Sequence, residues 1–174
     1  MRVFLNPGHA PNGIPDPGAC GLGLRESDVA AAVTSLTADY LAAAGVEVAG
    51  ILQSDSLGEI VSAANASGAD AFISVHCNAF NGRAQGTETC VYSGGGRSAQ
   101  LGQSIQGQIV SALGTVDRGI KERPGLYVLN STSMPAVLVE LAFIDNEHDN
   151  DLLKNEPDEF ARAIARGVTD YQNL

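Results

Sequence analysis

The chain has 174 residues, 44% hydrophobic and 17% charged, with 20 acidic against 10 basic side chains for a formal net charge of -10. That length suits a single domain, residues 1–174, with a substantial buried core. The negative field repels phosphate backbones, which argues against nucleic acid, and it disfavours anionic membrane surfaces.

No apolar run approaches the roughly 20 residues that span a bilayer, so membrane insertion is not expected. Met1 and Arg2 run straight into an apolar strand pattern, without the hydrophobic region of a signal peptide. Cys20, Cys77 and Cys90 are odd in number and form no CxxC pair, which points to a reducing compartment rather than a disulfide framework. The expectation is therefore cytoplasmic synthesis, or a fragment cut from a longer secreted protein.

In chain order, Arg2–Asn6 is a short apolar run ended by Pro-Gly, the pattern of a buried strand. From Glu26 to Ala44, Val29, Val33, Leu36, Tyr40 and Leu41 recur at helical spacing and Gly45 follows as a stop. Val46–Leu52 reads as a strand, Leu57–Ser67 as a helix, and Asp70–Asn78 and Gly86–Ser93 as two further strands. Leu101, Ile105, Ile109 and Leu113 mark a helix over Ser98–Leu113. Gly125–Asn130 and Pro135–Ile144 read as the last two strands, and two helices follow, one opening at "NEHDNDLLK" and one over Glu159–Tyr171. No repeat, linker or low-complexity tract interrupts the series. Strands alternating with helices predict an α/β fold, a twisted, mostly parallel six-stranded sheet with helices on both faces.

In open sheets of this kind, sites lie beyond the carboxyl ends of the strands. His9 follows the first strand, His76 ends the third, Glu140 sits late in the final strand, and Glu26 opens the first helix. Each has a plain alternative. A strand-tip histidine is often a hydrogen-bonded core residue, and an acid in a first helical turn commonly serves the helix dipole. Glu140 interrupts the apolar run "AVLVELAF", where a charge is costly unless compensated. An arginine such as that of "DRG" (Asp117–Gly119) could compensate it, and so could work as a general base on metal-activated water. Two imidazoles and a carboxylate make a three-ligand zinc site with one open position. His148, among acids at a helix start, reads as solvated.

Five ordered blocks extend this reading: "NPGHAP…GACGLGLRE", "ISVHCNA", "GTETCVYS", "DRGIKERPGLYVL" and "MPAVLVELAFIDNEHD". In order and spacing they resemble the zinc-dependent N-acetylmuramoyl-L-alanine amidases of bacterial autolysins and phage endolysins, from Val3 to about Leu153. The resemblance implies one Zn2+ per chain held by His9, Glu26 and His76, with Glu140 as the catalytic carboxylate. It implies peptidoglycan as substrate, cut at the amide between N-acetylmuramic acid and L-alanine, and action on the bacterial cell wall after lysis-dependent release or as part of a secreted protein. Asn78 and Arg118 lie in recurrent blocks and take substrate-binding or supporting roles; the protein is expected to be a monomer.

The chain departs from the family pattern in "GHAPNGIPDPG", where Gly-His-Gly-Gly and an aspartate are frequent, and in Cys77 beside His76, which reads as an extra soft ligand or a small buried residue. No loop is long enough for the helical autoinhibitory insertion of some relatives, which implies a permanently open groove. A charge of -10 opposes binding to polyanionic walls; a separate wall-binding module, divalent ions, or Arg83, Arg118 and Lys121 could offset it. Three other readings remain at this level. One is a catalytically inactive peptidoglycan-binding domain, one another zinc peptidase such as a carboxypeptidase. The third is a dinucleotide-binding protein, disfavoured because Glu26 stands where the third glycine of the fingerprint belongs.

Overall fold

A computed structural model describes residues 1–174. The strands are β1 (Arg2–Pro7), β2 (Cys20–Gly21), β3 (Leu24–Arg25), β4 (Glu47–Ile51), β5 (Ala71–Asn78), β6 (Thr87–Val91), β7 (Asp117–Glu122) and β8 (Ala136–Phe143). The helices are α1 (Glu26–Ala43), α2 (Leu57–Ala66), α3 (Gly96–Leu113), α4 (Tyr127–Ser131), α5 (Glu147–Asn155) and α6 (Pro157–Gln172), with a 3-10 turn at Pro11–Gly13.

Six strands form one sheet in the order β4-β1-β5-β8-β6-β7. All neighbours are parallel except β6 and β8, which run antiparallel. The mostly parallel, six-stranded α/β arrangement expected from the sequence is thus present. Two of its elements are not where the sequence pattern placed them. The pattern of Gly125–Asn130 predicts a strand, but Tyr127–Ser131 is a short helix; a brief apolar run has no period with which to choose. The sixth strand is instead Asp117–Glu122, whose polar, charged composition suits an exposed edge and hides it from a hydrophobicity reading.

Alternation along the strands sorts the core into two layers. Val3, Leu5, Ile73, Val75, Val137 and Val139 face α1, α3 and α6 and form the larger apolar cluster. Phe4, Phe72, Ala136, Leu138 and Cys90 point the other way, under Ile60, Val61 and Ala64 of α2 and Val128 and Leu129 of α4. The two short helices cover only part of that second face. Continuing the same alternation, Ser74 and His76 follow Phe72, and Glu140 follows Leu138, so polar side chains occupy the face where the helical cover ends.

Candidate active site

β5 and β8 pair in a register that sets His76 opposite Glu140, and β6 pairs with β8 so that Glu88 also lies opposite Glu140. Directly opposed residues share a face. His76, Glu140 and Glu88 therefore form a row across three adjacent strands.

His9 and Glu26 reach this row from the side. His9 adopts a left-handed backbone conformation, φ 63°, directly after β1, a strained choice for a residue with a side chain. The loop returns through Gly18, also left-handed at φ 67°. A Cβ on Gly18 would stand 2.4 Å from His9 Cδ2 and 2.6 Å from Glu26 Oε2, so only glycine lets the loop close over both side chains. The same loop starts α1: Ala19 and Pro17 carbonyls accept from the Glu26 and Ser27 amides. Donors that a helix N-terminus leaves unpaired are thereby used, and the Glu26 carboxylate is free of capping duty.

That carboxylate is a hub. Its Oε2 accepts from the Ala19 amide at 2.7 Å and lies 3.0 Å from His9 Nε2. Its Oε1 accepts from the Cys77 amide at 2.9 Å and lies 2.8 Å from His76 Nδ1. Burial alone would raise its pKa, but the hydrogen bonds from His76 and His9 outweigh it and hold Glu26 far below the usual carboxylate range. His9 responds in the opposite sense: chiefly through Glu26, and against its own desolvation, its pKa rises to about 9. The other ring nitrogen, Nδ1, lies 2.7 Å from Asp16 Oδ2, whose Oδ1 accepts from the Gly18 amide. Asp16 thus fixes the ring orientation and leaves Nε2 facing Glu26.

One donor atom each from His9, Glu26 and His76 lies within 4.8 Å of the others. Two imidazoles and an ionised carboxylate are the nitrogen and oxygen donors that Zn2+ accepts, and a carboxylate behind one imidazole is a familiar supporting contact. A second observation agrees with a cation here. Glu140 Oε2 is buried and has no hydrogen-bond partner. Burial pushes the Glu140 pKa up to about 7, with Glu26 and Glu88 adding to the rise while His76 and His9 oppose it. A positive charge in the cluster would relieve that carboxylate.

The remaining sequence candidates fall as follows. Asn78 donates through Nδ2 to Glu88 Oε1 at 3.3 Å. Arg118 pairs with Glu88, its Nε 2.8 Å from Oε2, and neither with Asp117 nor as a counterion to Glu140. Cys77 points to the opposite face, where it is buried in the larger apolar cluster and its thiol is pushed well above the ordinary range by burial. His148 is exposed on α5. The glycine-rich stretch that partly matches a nucleotide fingerprint is the β2–β3 hairpin, with Gly21 packed on the Ile144 carbonyl.

Sequence reasoning missed Asp16 and Glu88. Glu88 stands between two threonines in "TETCV" and lacks the apolar flanks that mark Glu140; Asp16, in a Pro-rich loop, carries no signal either. Beside His9 and His76 opens a cleft of about 320 Å3 with an apolar floor that includes Ile60, Val128 and Leu138 and with Tyr127 at its rim.

The fold and donor cluster together define a hydrolase-like α/β domain with a candidate metal centre at the carboxyl end of its sheet. A family model described as N-acetylmuramoyl-L-alanine amidase matches residues 3–170, and the chain belongs to that family. Among relatives, it is 40% identical over 176 residues to the uncharacterized protein YqiI of Bacillus subtilis (strain 168), covering 97% of this chain and 84% of YqiI. It is 36% identical to the sporulation-specific N-acetylmuramoyl-L-alanine amidase of the same organism, covering 96% of this chain and 65% of that protein. It is also 36% identical to the amidase LytC, covering 97% of this chain but 35% of LytC. The chain thus spans from about a third to most of the length of these relatives. The crystal structure of N-acetylmuramoyl-L-alanine amidase from Clostridium difficile 630 superimposes with a TM-score of 0.90 at 30% identity, over 99% of this chain and 96% of that one. The catalytic domain of CwlV from Bacillus (Paenibacillus) polymyxa gives 0.86 at 26% identity, over 99% and 98%. No helix of the chain is long and apolar enough to cross a membrane.

Proposed function

We propose that residues 1–174 form one catalytic domain that hydrolyses the amide between N-acetylmuramic acid and L-alanine in peptidoglycan, at the bacterial cell wall. His9, Glu26 and His76 hold one Zn2+, and Glu140 is the general base. The observation that carries this reading is the buried, partnerless Glu140 Oε2 beside the His-Glu-His cluster.

When bound, zinc supplies Lewis acidity towards the scissile carbonyl and towards water. The chain's own residues do the rest. Glu26, pinned by two backbone amides and two imidazoles, stays ionised and is no proton carrier. Glu140 carries the proton. Its Oε2, buried beside the cluster with no hydrogen-bond partner, is free to take a proton from the attacking water and return it to the departing alanine nitrogen. The bond formed is from water oxygen to the lactyl carbonyl carbon; the bond broken is that carbon to nitrogen. Asn78 and Arg118 both bond to Glu88, which lies opposite Glu140, and they act as substrate-facing or supporting groups there.

The net charge of -10 opposes approach to a polyanionic wall. A separate wall-binding module would overcome this, in keeping with relatives such as LytC, of which this chain matches 35%. The domain itself acts as a monomer.

The test is digestion of purified peptidoglycan by zinc-loaded and chelated protein, with assays for new amino-terminal alanine and for reducing sugar ends. New alanine amino termini without reducing ends, lost on chelation and restored by zinc, are expected. Zinc-loaded protein that releases no such termini from any wall type would overturn the reading in favour of another zinc peptidase or an inactive binding domain.

A further inference from the structure

Arg118 is held in an unusual way for a surface cation. Its Nε donates to Glu88 Oε2 at 2.8 Å, and its guanidinium lies over the Phe143 ring, 4.9 Å from the centroid. Glu88 is 6% exposed and also accepts from Asn78. One edge and one face of the guanidinium are thus committed within the protein. Its terminal nitrogens have no protein partner, and about a third of the side chain is open to solvent, 35%. A guanidinium already immobilised loses little further freedom on gripping a ligand, and its planar fork matches a carboxylate.

The placement gives that fork a direction. Glu88 lies in the row His76–Glu140–Glu88, two strand spacings from His76, or about 10 Å. Phe143 belongs to the intervening strand, so the guanidinium folds back over part of that distance. An extended peptide covers about 3.3–3.6 Å per residue, which puts the fork two to three residues from the metal cluster. In the proposed substrate the carboxyl of muramic acid is consumed in the scissile amide. Free carboxylates therefore lie only on the peptide side.

Resting on the amidase reading above, the geometry points to Arg118 as a specificity-determining residue that binds a free carboxylate on the second or third residue of the stem peptide. Glu88 and Phe143 position it. The peptide then runs from the metal cluster towards β7, and the sugar lies on the side of the Tyr127 cleft.

The test uses pairs of soluble muramoyl peptides that differ only in whether the carboxylate of residue two, or of residue three, is free or amidated. For one pair, the zinc-loaded wild type should show kcat/KM roughly tenfold or more in favour of the free carboxylate, the scale of one charge-assisted contact. Arg118→Gln should lower turnover of the free form only, bringing the ratio to about one. Arg118→Lys and Glu88→Gln should leave intermediate ratios, and they carry the comparison if Arg118→Gln does not fold. Equal wild-type rates on both pairs, or a ratio that survives Arg118→Gln, would overturn the assignment. So would an equal fall on both forms, which marks a purely structural arginine. Should the wild type cleave neither form, the amidase reading fails on its own. Calorimetric binding of the same peptides then decides the subsite, tighter binding of the free form lost in Arg118→Gln supporting it and equal binding refuting it.

Discussion

Replacing Gly8 by alanine should disable the proposed metal site while leaving the fold. Gly8 has no left-handed backbone requirement, so the effect is steric alone. A Cβ there would stand 2.4 Å from His76 Cε1 and 2.7 Å from both ring nitrogens. Ordinary contact between carbon atoms is about 3.5–4.0 Å, so the ring must withdraw by about 1 Å or the strand end must shift by as much. Metal–ligand distances tolerate only about 0.2 Å. The ring has little room to comply, because Glu26 holds His76 Nδ1 at 2.8 Å. Loss of a supporting contact alone costs about 10- to 100-fold in metal affinity, and a displaced ligand should cost at least the upper figure. The fold should lose about 1–3 kcal/mol, the usual penalty for an overpacked position. Competition against a chromophoric chelator would measure zinc affinity, and thermal unfolding of the metal-free protein would report the fold. Wild-type zinc affinity in Gly8→Ala would refute both the crowding argument and the place of His76 among the ligands.

Further outcomes follow from the site and from the helical layer. Glu140→Gln should abolish turnover with zinc still bound. Because burial raises the Glu140 pKa from 4.5 to about 7, the wild type loses stability as pH rises through that window, and the variant should not; parallel pH–stability curves for the two metal-free proteins would contradict this. His9, raised from 6.5 to about 9, stabilises the metal-free protein below pH 6.5 and loses that contribution as pH climbs through 9. Zinc needs the neutral ring, so binding near pH 7.5 should expel about one proton from His9, visible as a dependence of the calorimetric heat on the buffer's ionisation enthalpy; no dependence would count against it. In the helical layer, Gly167→Ala would bring a Cβ within 2.5 Å of the Ile105 Cα and should destabilise the α3–α6 contact, by about 1–3 kcal/mol. The exposed α3 position Gly107, with nothing within 4 Å, should instead gain about 0.5–1 kcal/mol as alanine, and equal melting temperatures for the two variants would refute the packing argument.

What could be read from the sequence depended on whether a signal was local. The long helices announced themselves through period, and α1 runs Glu26–Ala43 against the expected Glu26–Ala44. Buried parallel strands showed as apolar runs. The edge strand β7 did not, because it carries charged Asp117, Arg118, Lys121 and Glu122, with its two ends exposed and its middle half-buried, on a rim where no apolar alternation is required. The strand-end rule points to His9, Glu26, His76 and Glu140 together; the structure brings the first three within one cluster and sets Glu140 opposite His76. Glu88 escaped because its meaning is relational. It becomes a neighbour of Glu140 only through the antiparallel register of β6 on β8, a long-range pairing that no spacing encodes. Asp16 escaped for a related reason: it reaches His9 only because the loop closes through Gly18.

The reversal of β6 has a further consequence for the site. A parallel strand in that position would enter from the opposite end of the sheet and present a later part of its chain beside Glu140. Running antiparallel, β6 offers its second residue there, directly after the Asn78–Gly86 loop. The same loop begins at Asn78, which hydrogen-bonds back to Glu88 and ties its two ends together. Three carboxylates, Glu26, Glu140 and Glu88, then share one small region, and each is answered differently. Glu26 is met by imidazoles and amides, Glu88 by Arg118 and Asn78, and Glu140 Oε2 by nothing within the protein. Burying an unanswered carboxylate is costly, and structural pairs arise readily when an arginine is within reach. Here the nearby arginine is already committed to Glu88. The partnerless oxygen is therefore a feature of this row that the neighbouring arginine does not account for, in keeping with the proton-carrying role proposed for Glu140.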